Sequence, residues 1–117
     1  MATVTIYHNP RCSKSRQTLE LLQDHGEDVE MILYLENPPD KETLGDLARA
    51  MGKKPFDLIR TKDKLFKELG LSMGDRRSTS EWLKIMVENP GLIERPIVKK
   101  GAKVALGRPP ENVLEIL

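Results

Sequence analysis

The chemistry of this chain begins with its only cysteine. Cys12 stands in the run Tyr7-His8-Asn9-Pro10-Arg11-Cys12-Ser13-Lys14-Ser15-Arg16, where a strand-like pattern breaks at Asn9-Pro10 and a helix-like one begins. A thiol at a helix N-terminus meets N–H groups without helical partners and the positive end of the helix dipole. Both favour the thiolate, which is the form that attacks electrophiles. The same terminus suits an anion, so nucleophile and oxyanion site can share one small space. The alternative is a buried structural cysteine packed as a small hydrophobe. Its neighbours Arg11, Ser13, Lys14, Ser15 and Arg16 are polar or cationic and oppose that reading. Lys14 and Arg16 place positive charge within reach, which is expected to bring the thiol below its free value of about 8.5. Each unit of lowering corresponds to about 1.4 kcal/mol of preference for the charged form.

The residues around Cys12 narrow the reaction. A Cys-x-x-Cys dithiol is absent, because Ser15 occupies the second position. The Cys-x5-Arg loop of the tyrosine phosphatases is absent too, since the sixth residue after Cys12 is Thr18. With no second cysteine, an adduct or oxidised form of Cys12 cannot be resolved within the chain, and an outside thiol must do it. Three arginines sit at rigid junctions: Arg60 after Leu58-Ile59, Arg95 before Pro96, and Arg108 before Pro109-Pro110. Guanidinium forks converging on one point would bind a tetrahedral oxyanion. His8 reads as a base, a modulator of the thiol or a packed strand-end histidine. Trp82 and Phe66 fall at core spacing. Arg76-Arg77 and Lys99-Lys100 read as solvated pairs in turns. No metal-ligand spacing, Gly-rich phosphate loop or aromatic-interleaved basic patch is present.

The elements that must position these groups follow from the patterning. Val4–Tyr7 reads as a buried strand, Ser13–His25 as a helix with Ser15, Thr18, Leu19 and Leu22 on one face, and Val29–Leu35 as a second strand. This is a βαβ unit with parallel strands. Asp40 caps a helix carrying the stripe Leu44, Leu47, Ala48 and Met51. Short helices follow after Lys54-Pro55 and over Asp63–Leu69, the latter with Leu65, Phe66 and Leu69 inward. Ser78-Thr79-Ser80-Glu81 is a capping box opening the helix of Trp82, Ile85 and Met86. Residues 96–99 and 103–106 form a hairpin about Lys100-Gly101, and Pro110 opens a last helix with Val113, Leu114 and Leu117 inward. The expectation is an α/β fold with a mixed sheet flanked by helices, as one domain over residues 1–117 with a helical insertion at about 38–90.

At 117 residues with 32% charged and 38% apolar residues, the chain can build a core unaided. A net charge of +1 points to neither nucleic acid nor a membrane surface. The longest apolar run, Met31–Leu35, is too short to span a bilayer. Met1-Ala2-Thr3-Val4 runs into a strand without a signal pattern, so a cytoplasmic location is expected, in keeping with the lone thiol.

Four motifs in order resemble the glutaredoxin-coupled arsenate reductase family, over essentially the whole chain. They are Tyr7–Arg16 followed by Thr18-Leu19; Arg60-Thr61-Lys62 with Lys67-Glu68-Leu69-Gly70-Leu71; Leu92-Ile93-Glu94-Arg95-Pro96-Ile97-Val98; and Gly107-Arg108-Pro109-Pro110-Glu111. The resemblance implies a thioredoxin-like (glutaredoxin-like) fold, with Pro96 as a cis-proline facing the active-site loop. It implies Cys12 as the nucleophile and Arg60, Arg95 and Arg108 as oxyanion-binding residues. His8 enters as a neighbour of the thiolate, and Ser15 and Arg16 as residues that order the loop. The implied activity is reduction of arsenate to arsenite, with glutathione as co-substrate, glutaredoxin as partner, and no bound cofactor or metal. Two other functions share the fold: a glutathione-dependent thiol oxidoreductase acting on another substrate, and a redox regulator that binds RNA polymerase. The second typically carries the Cys-x-x-Cys that is missing here.

Overall fold

The computed structural model describes residues 3–117. Met1 and Ala2, expected to lead into the first strand, lie outside the described residues. The contacts divide the chain into two units, one of residues 3–37 with Arg95–Leu117, the other Pro38–Glu94.

The first unit is a four-stranded sheet covered by helices. Strand β1 (Val4–His8) is followed by helix α1 (Ser13–Asp24) and strand β2 (Val29–Leu33). β1 and β2 are parallel, with Val4 opposite Val29 and His8 opposite Leu33, as a crossover helix requires. Strands β3 (Ile97–Lys100) and β4 (Lys103–Leu106) form an antiparallel hairpin turned at Gly101, whose φ of 61° suits glycine. β3 pairs antiparallel with β1, so the sheet order is β2-β1-β3-β4. Val4, Ile6, Leu22, Val98 and Val113 form its buried core, with Leu19, Leu21, Ala105 and Ile116 packed around them.

α1 ends where the sequence indicates. His25 caps it and Gly26 follows at a φ of 72°. The last helical segment, Pro110–Ile116, is 3₁₀ rather than α. Its tighter turn rotates Leu114 outward to 40% exposure, while Val113 is fully buried. Lys100, read as solvated, instead meets Glu27 at 2.9 Å with both side chains largely covered.

The second unit is helical. Helix α2 (Lys41–Ala50) is capped by Asp40, whose Oδ1 accepts the Thr43 N–H at 2.8 Å. Helix α3 (Lys64–Glu68) is capped by Asp63, and helix α4 (Thr79–Glu88) by the reciprocal Ser78–Glu81 box, both bonds at 3.1 Å. Short 3₁₀ turns occupy Pro55–Leu58 and Pro90–Leu92. Leu44, Leu47, Ala48, Leu58, Phe66, Trp82, Met86 and Leu92 are buried. The Phe56 and Trp82 rings meet at 4.9 Å, tilted by 56°. Arg77, also expected to be solvated, lies 5.8 Å over the Trp82 ring. Leu69 is 41% exposed rather than inward, because it caps a helix of five residues, too short to present a stripe. Among the described residues, no helix is long and apolar enough to cross a membrane.

Candidate active site

The strand-to-helix loop is built from its own short polar side chains. After β1 the backbone turns, with Cys12 N–H donating to Asn9 O at 3.0 Å and Arg11 N–H to Asn9 Oδ1 at 3.0 Å. Ser15, fully buried on the first turn of α1, reaches back to the strand end. Its Oγ accepts the Asn9 N–H at 3.0 Å and lies 2.6 Å from His8 Nδ1. With the Asn9 N–H accepted, the hydroxyl still either donates to Nδ1 or accepts from it, according to the imidazole tautomer. Arg16 Nη1 donates to Pro10 O at 2.8 Å. Ser15 and Arg16 thus each hydrogen-bond back to the residues that precede Cys12.

Cys12 is the N-cap residue of α1, with extended backbone and a half-buried side chain. Burial alone pushes its thiol up. The Ser15 N–H, a hydrogen bond from the Arg95 side chain, the Lys14 N–H and the charge of Arg95 together outweigh it, so the thiol ionises below its ordinary value. Ionisation of the thiol is therefore eased, as the sequence suggests, but by different groups. Lys14 contributes its backbone N–H, and the acting guanidinium is that of Arg95 rather than Arg16. Arg16 acts instead on His8, whose pKa is lowered first by burial and then by that charge. His8 is 4% exposed and sits in the loop's hydrogen-bond network as a neutral imidazole at neutral pH.

Arg95 and Arg108 come from two turns that lie together. The Arg95–Pro96 peptide is cis, as the resemblance implies for Pro96, and so is Arg108–Pro109. Gly107 N–H donates to Pro96 O at 2.9 Å, and Arg108 Nη1 donates to Arg95 O at 3.2 Å. A Cβ at Gly107 would lie 2.6 Å from Thr18 Oγ1 and 2.8 Å from Pro96 Cγ. Only glycine lets the Arg108 turn settle against both α1 and the Pro96 turn. Arg60 belongs to the helical unit. Its N–H donates to Leu92 O at 2.7 Å, and its side chain pairs with Asp63 at 3.6 Å.

One site residue escaped the sequence reading. Tyr34, immediately after β2, is 1% exposed, and its hydroxyl is bordered by the Arg95 and Asn9 side chains and by Cys12. It reads as one more apolar strand residue. The available signal was its place at the carboxyl end of a parallel strand, where α/β sheets bind ligands. Beside the loop a cleft of about 350 Å³ is lined by His8, Asn9, Pro10, Arg11, Leu33, Leu35 and Glu36. Among the described residues there is no cluster of histidine, cysteine or carboxylates able to hold a metal ion.

A mixed β2-β1-β3-β4 sheet with its thiol at the mouth of α1 and a cis-proline before β3 defines a thioredoxin-like protein. Within that class the chain belongs to the ArsC family, whose model matches residues 7–116. It is 50% identical to an uncharacterized protein of Escherichia coli K12, YfgD, across 97% of this chain and 96% of that one. It is 47% identical to the arsenate reductase of Haemophilus influenzae, across 98% and 99% of the two chains. The solved structure of the arsenate reductase from Vibrio cholerae superposes with a TM-score of 0.92 at 46% identity, covering 99% of this chain and 98% of that one.

Proposed function

We propose that this chain is a glutathione- and glutaredoxin-dependent arsenate reductase acting through the Cys12 thiolate. The observation that carries the reading is the environment of that thiol, two first-turn N–H groups and the Arg95 guanidinium on one sulfur, in a chain similar end to end to proteins named arsenate reductase. The groups that stabilise a thiolate also stabilise an arriving oxyanion. Sγ attacks arsenic, an S–As bond forms, and one arsenate oxygen leaves as water after taking up protons. Arg95 and Arg108 neutralise the remaining oxygens. Arg60 is assigned to the same anion by the family resemblance alone. A glutathione thiol then joins the arsenic with loss of a second oxygen. The two sulfurs supply the electron pair that takes arsenic(V) to arsenic(III), and one water adds back to arsenic, releasing arsenite and leaving a Cys12–glutathione disulfide. Glutaredoxin with further glutathione returns the thiol. The protein itself requires no bound cofactor or metal.

The test is arsenate-dependent NADPH oxidation in the presence of glutathione, glutaredoxin and glutathione reductase. Turnover is expected for the native chain and none for Cys12→Ser. A native chain without turnover, or a Cys12→Ser variant with full turnover, overturns the assignment. Removing one charge, in Arg95→Ala or Arg108→Ala, is expected to raise the KM for arsenate by roughly ten-fold or more, the usual worth of a hydrogen bond to a charged group. Loss of arsenate turnover with intact disulfide exchange in these variants separates an arsenate reductase from a general thiol oxidoreductase.

A further inference from the structure

Tyr34 carries an inference of its own. His8 is opposite Leu33 in the parallel ladder, so Asn9 and Tyr34 are the first residues beyond it on the two strands. The Tyr34 side chain is 1% exposed, yet among the described residues its hydroxyl oxygen has no hydrogen-bond partner of good geometry. A buried phenol ordinarily finds one. Burial pushes its pKa up against the opposing pull of Arg95 and Asn9, so the group remains a protonated donor at neutral pH.

What it lacks is an acceptor. The Arg95 guanidinium has none to give. The Asn9 side chain acts on the phenol as a donor would, lowering its pKa, and its Oδ1 is turned to the Arg11 N–H at 3.0 Å. Phenol and guanidinium are therefore two donors at one place, beside a sulfur that favours its own anion. A small tetrahedral anion supplies the missing acceptor.

We propose that Tyr34 is a substrate-contacting residue, its hydroxyl donating a hydrogen bond to an oxygen of the oxyanion that Cys12 attacks and Arg95 holds. In the resting site the Arg95 side chain bonds Sγ. As the anion enters, the guanidinium turns from sulfur to oxygen and uncovers the hydroxyl. No proton changes owner; the phenol stays protonated and fixes the orientation of the anion. The identity of the anion rests on the arsenate reductase reading. The contact rests on the Tyr34–Arg95–Cys12 cluster.

Tyr34→Phe in the full chain tests it through three measurements: the thermal midpoint, the protection of Cys12 from iodoacetamide by arsenate or by phosphate, and the KM and kcat for arsenate. The midpoint is expected to be unchanged or higher, since among the described residues the lost hydroxyl makes no hydrogen bond of good geometry. The anion concentration giving half-protection and the KM should both rise about ten-fold or more, with kcat moving less. Unaltered protection and KM overturn the proposal. So does a variant that fails to fold or melts well below the native chain, because the hydroxyl would then serve the structure. Where neither anion protects the native chain, the proposal falls as well. A native chain that is protected by these anions but does not reduce arsenate, with protection weakened in Tyr34→Phe, keeps the contact and removes the arsenate reductase reading.

Discussion

At the scale of single residues the site depends on which groups face the sulfur rather than on which stand next to it in sequence. Arg95 lowers the Cys12 pKa with its charge and a hydrogen bond, whereas Lys14 does so through its N–H. The rate of Cys12 alkylation by iodoacetamide should therefore rise with pH to a midpoint below that of a free thiol. Arg95→Ala should move the midpoint upward and Lys14→Ala should leave it in place. A shift in Lys14→Ala as large as that in Arg95→Ala would return the effect to the neighbouring lysine. The same shift links to stability. A thiol that ionises more easily folded than unfolded adds stability that is complete above the unfolded pKa and is lost as pH falls through the folded one. The urea midpoints of the native and Cys12→Ser proteins should therefore diverge increasingly as pH rises from the folded pKa to the unfolded one, and no further above it. Ser15 makes a second prediction. Ser15→Ala strands the buried Asn9 N–H and His8 Nδ1 together, so a loss of about 2–4 kcal/mol in urea unfolding is expected. The position of Cys12 at the mouth of α1 was legible because a lone cysteine at a strand-to-helix break is a local pattern. Its charged partner, 83 positions later by numbering (95 − 12), was visible only as an arginine at a proline junction. Tyr34 was hidden altogether, since its polarity lies in one atom of a side chain that otherwise reads as core.

At the scale of elements, local signals carried far. The Asp40 and Ser78–Glu81 caps and the α1 face of Ser15, Thr18 and Leu22 all lie where the pattern put them, because caps and helical stripes are written within one or two turns. The misplaced residues fall on elements too short or too tight for that rule: Leu69 at the end of a five-residue helix, and Leu114 on a 3₁₀ segment. The Lys100–Glu27 pair joins residues 73 positions apart, which no local pattern records. Gly107 belongs to the same class. It reads as a turn glycine, but its reason is the approach of Thr18 on α1 and of Pro96. Gly107→Ala must push the Arg108 turn away from both, and overpacking of this kind costs about 1–3 kcal/mol. Thr18→Ala removes Oγ1 and Cγ2 from the clash and leaves the Pro96 contact at 2.8 Å. The double variant should therefore be more stable than the sum of the single effects, by calorimetry or urea unfolding. Strict additivity would mean that α1 does not set the turn.

At the scale of the whole molecule, the decisive fact is a count. Arsenate to arsenite is a two-electron reduction, and forming a disulfide from two thiols releases two electrons; this chain contains one cysteine. In the proposed mechanism one sulfur opens the reaction at arsenic but cannot finish it, so the second must arrive from outside. A chain with a second, resolving cysteine would release arsenite from a single turnover and trap the disulfide internally. Here the first turnover without added thiol is expected to stop at the Cys12–arsenic adduct, with no arsenite released. Glutathione should then release arsenite in step with a protein species heavier by one glutathione, and glutaredoxin should return it to the starting mass. Intact-mass spectrometry and arsenic speciation on one sample read both halves. One arsenite per chain without external thiol would break the electron count and the mechanism with it. About half an equivalent, accompanied by a Cys12–Cys12 dimer, would show that a second copy can stand in for glutathione as the outside thiol. In the proposed mechanism the surroundings of Cys12 decide how readily the chemistry starts, and the lack of a second cysteine in this chain decides where it must be completed.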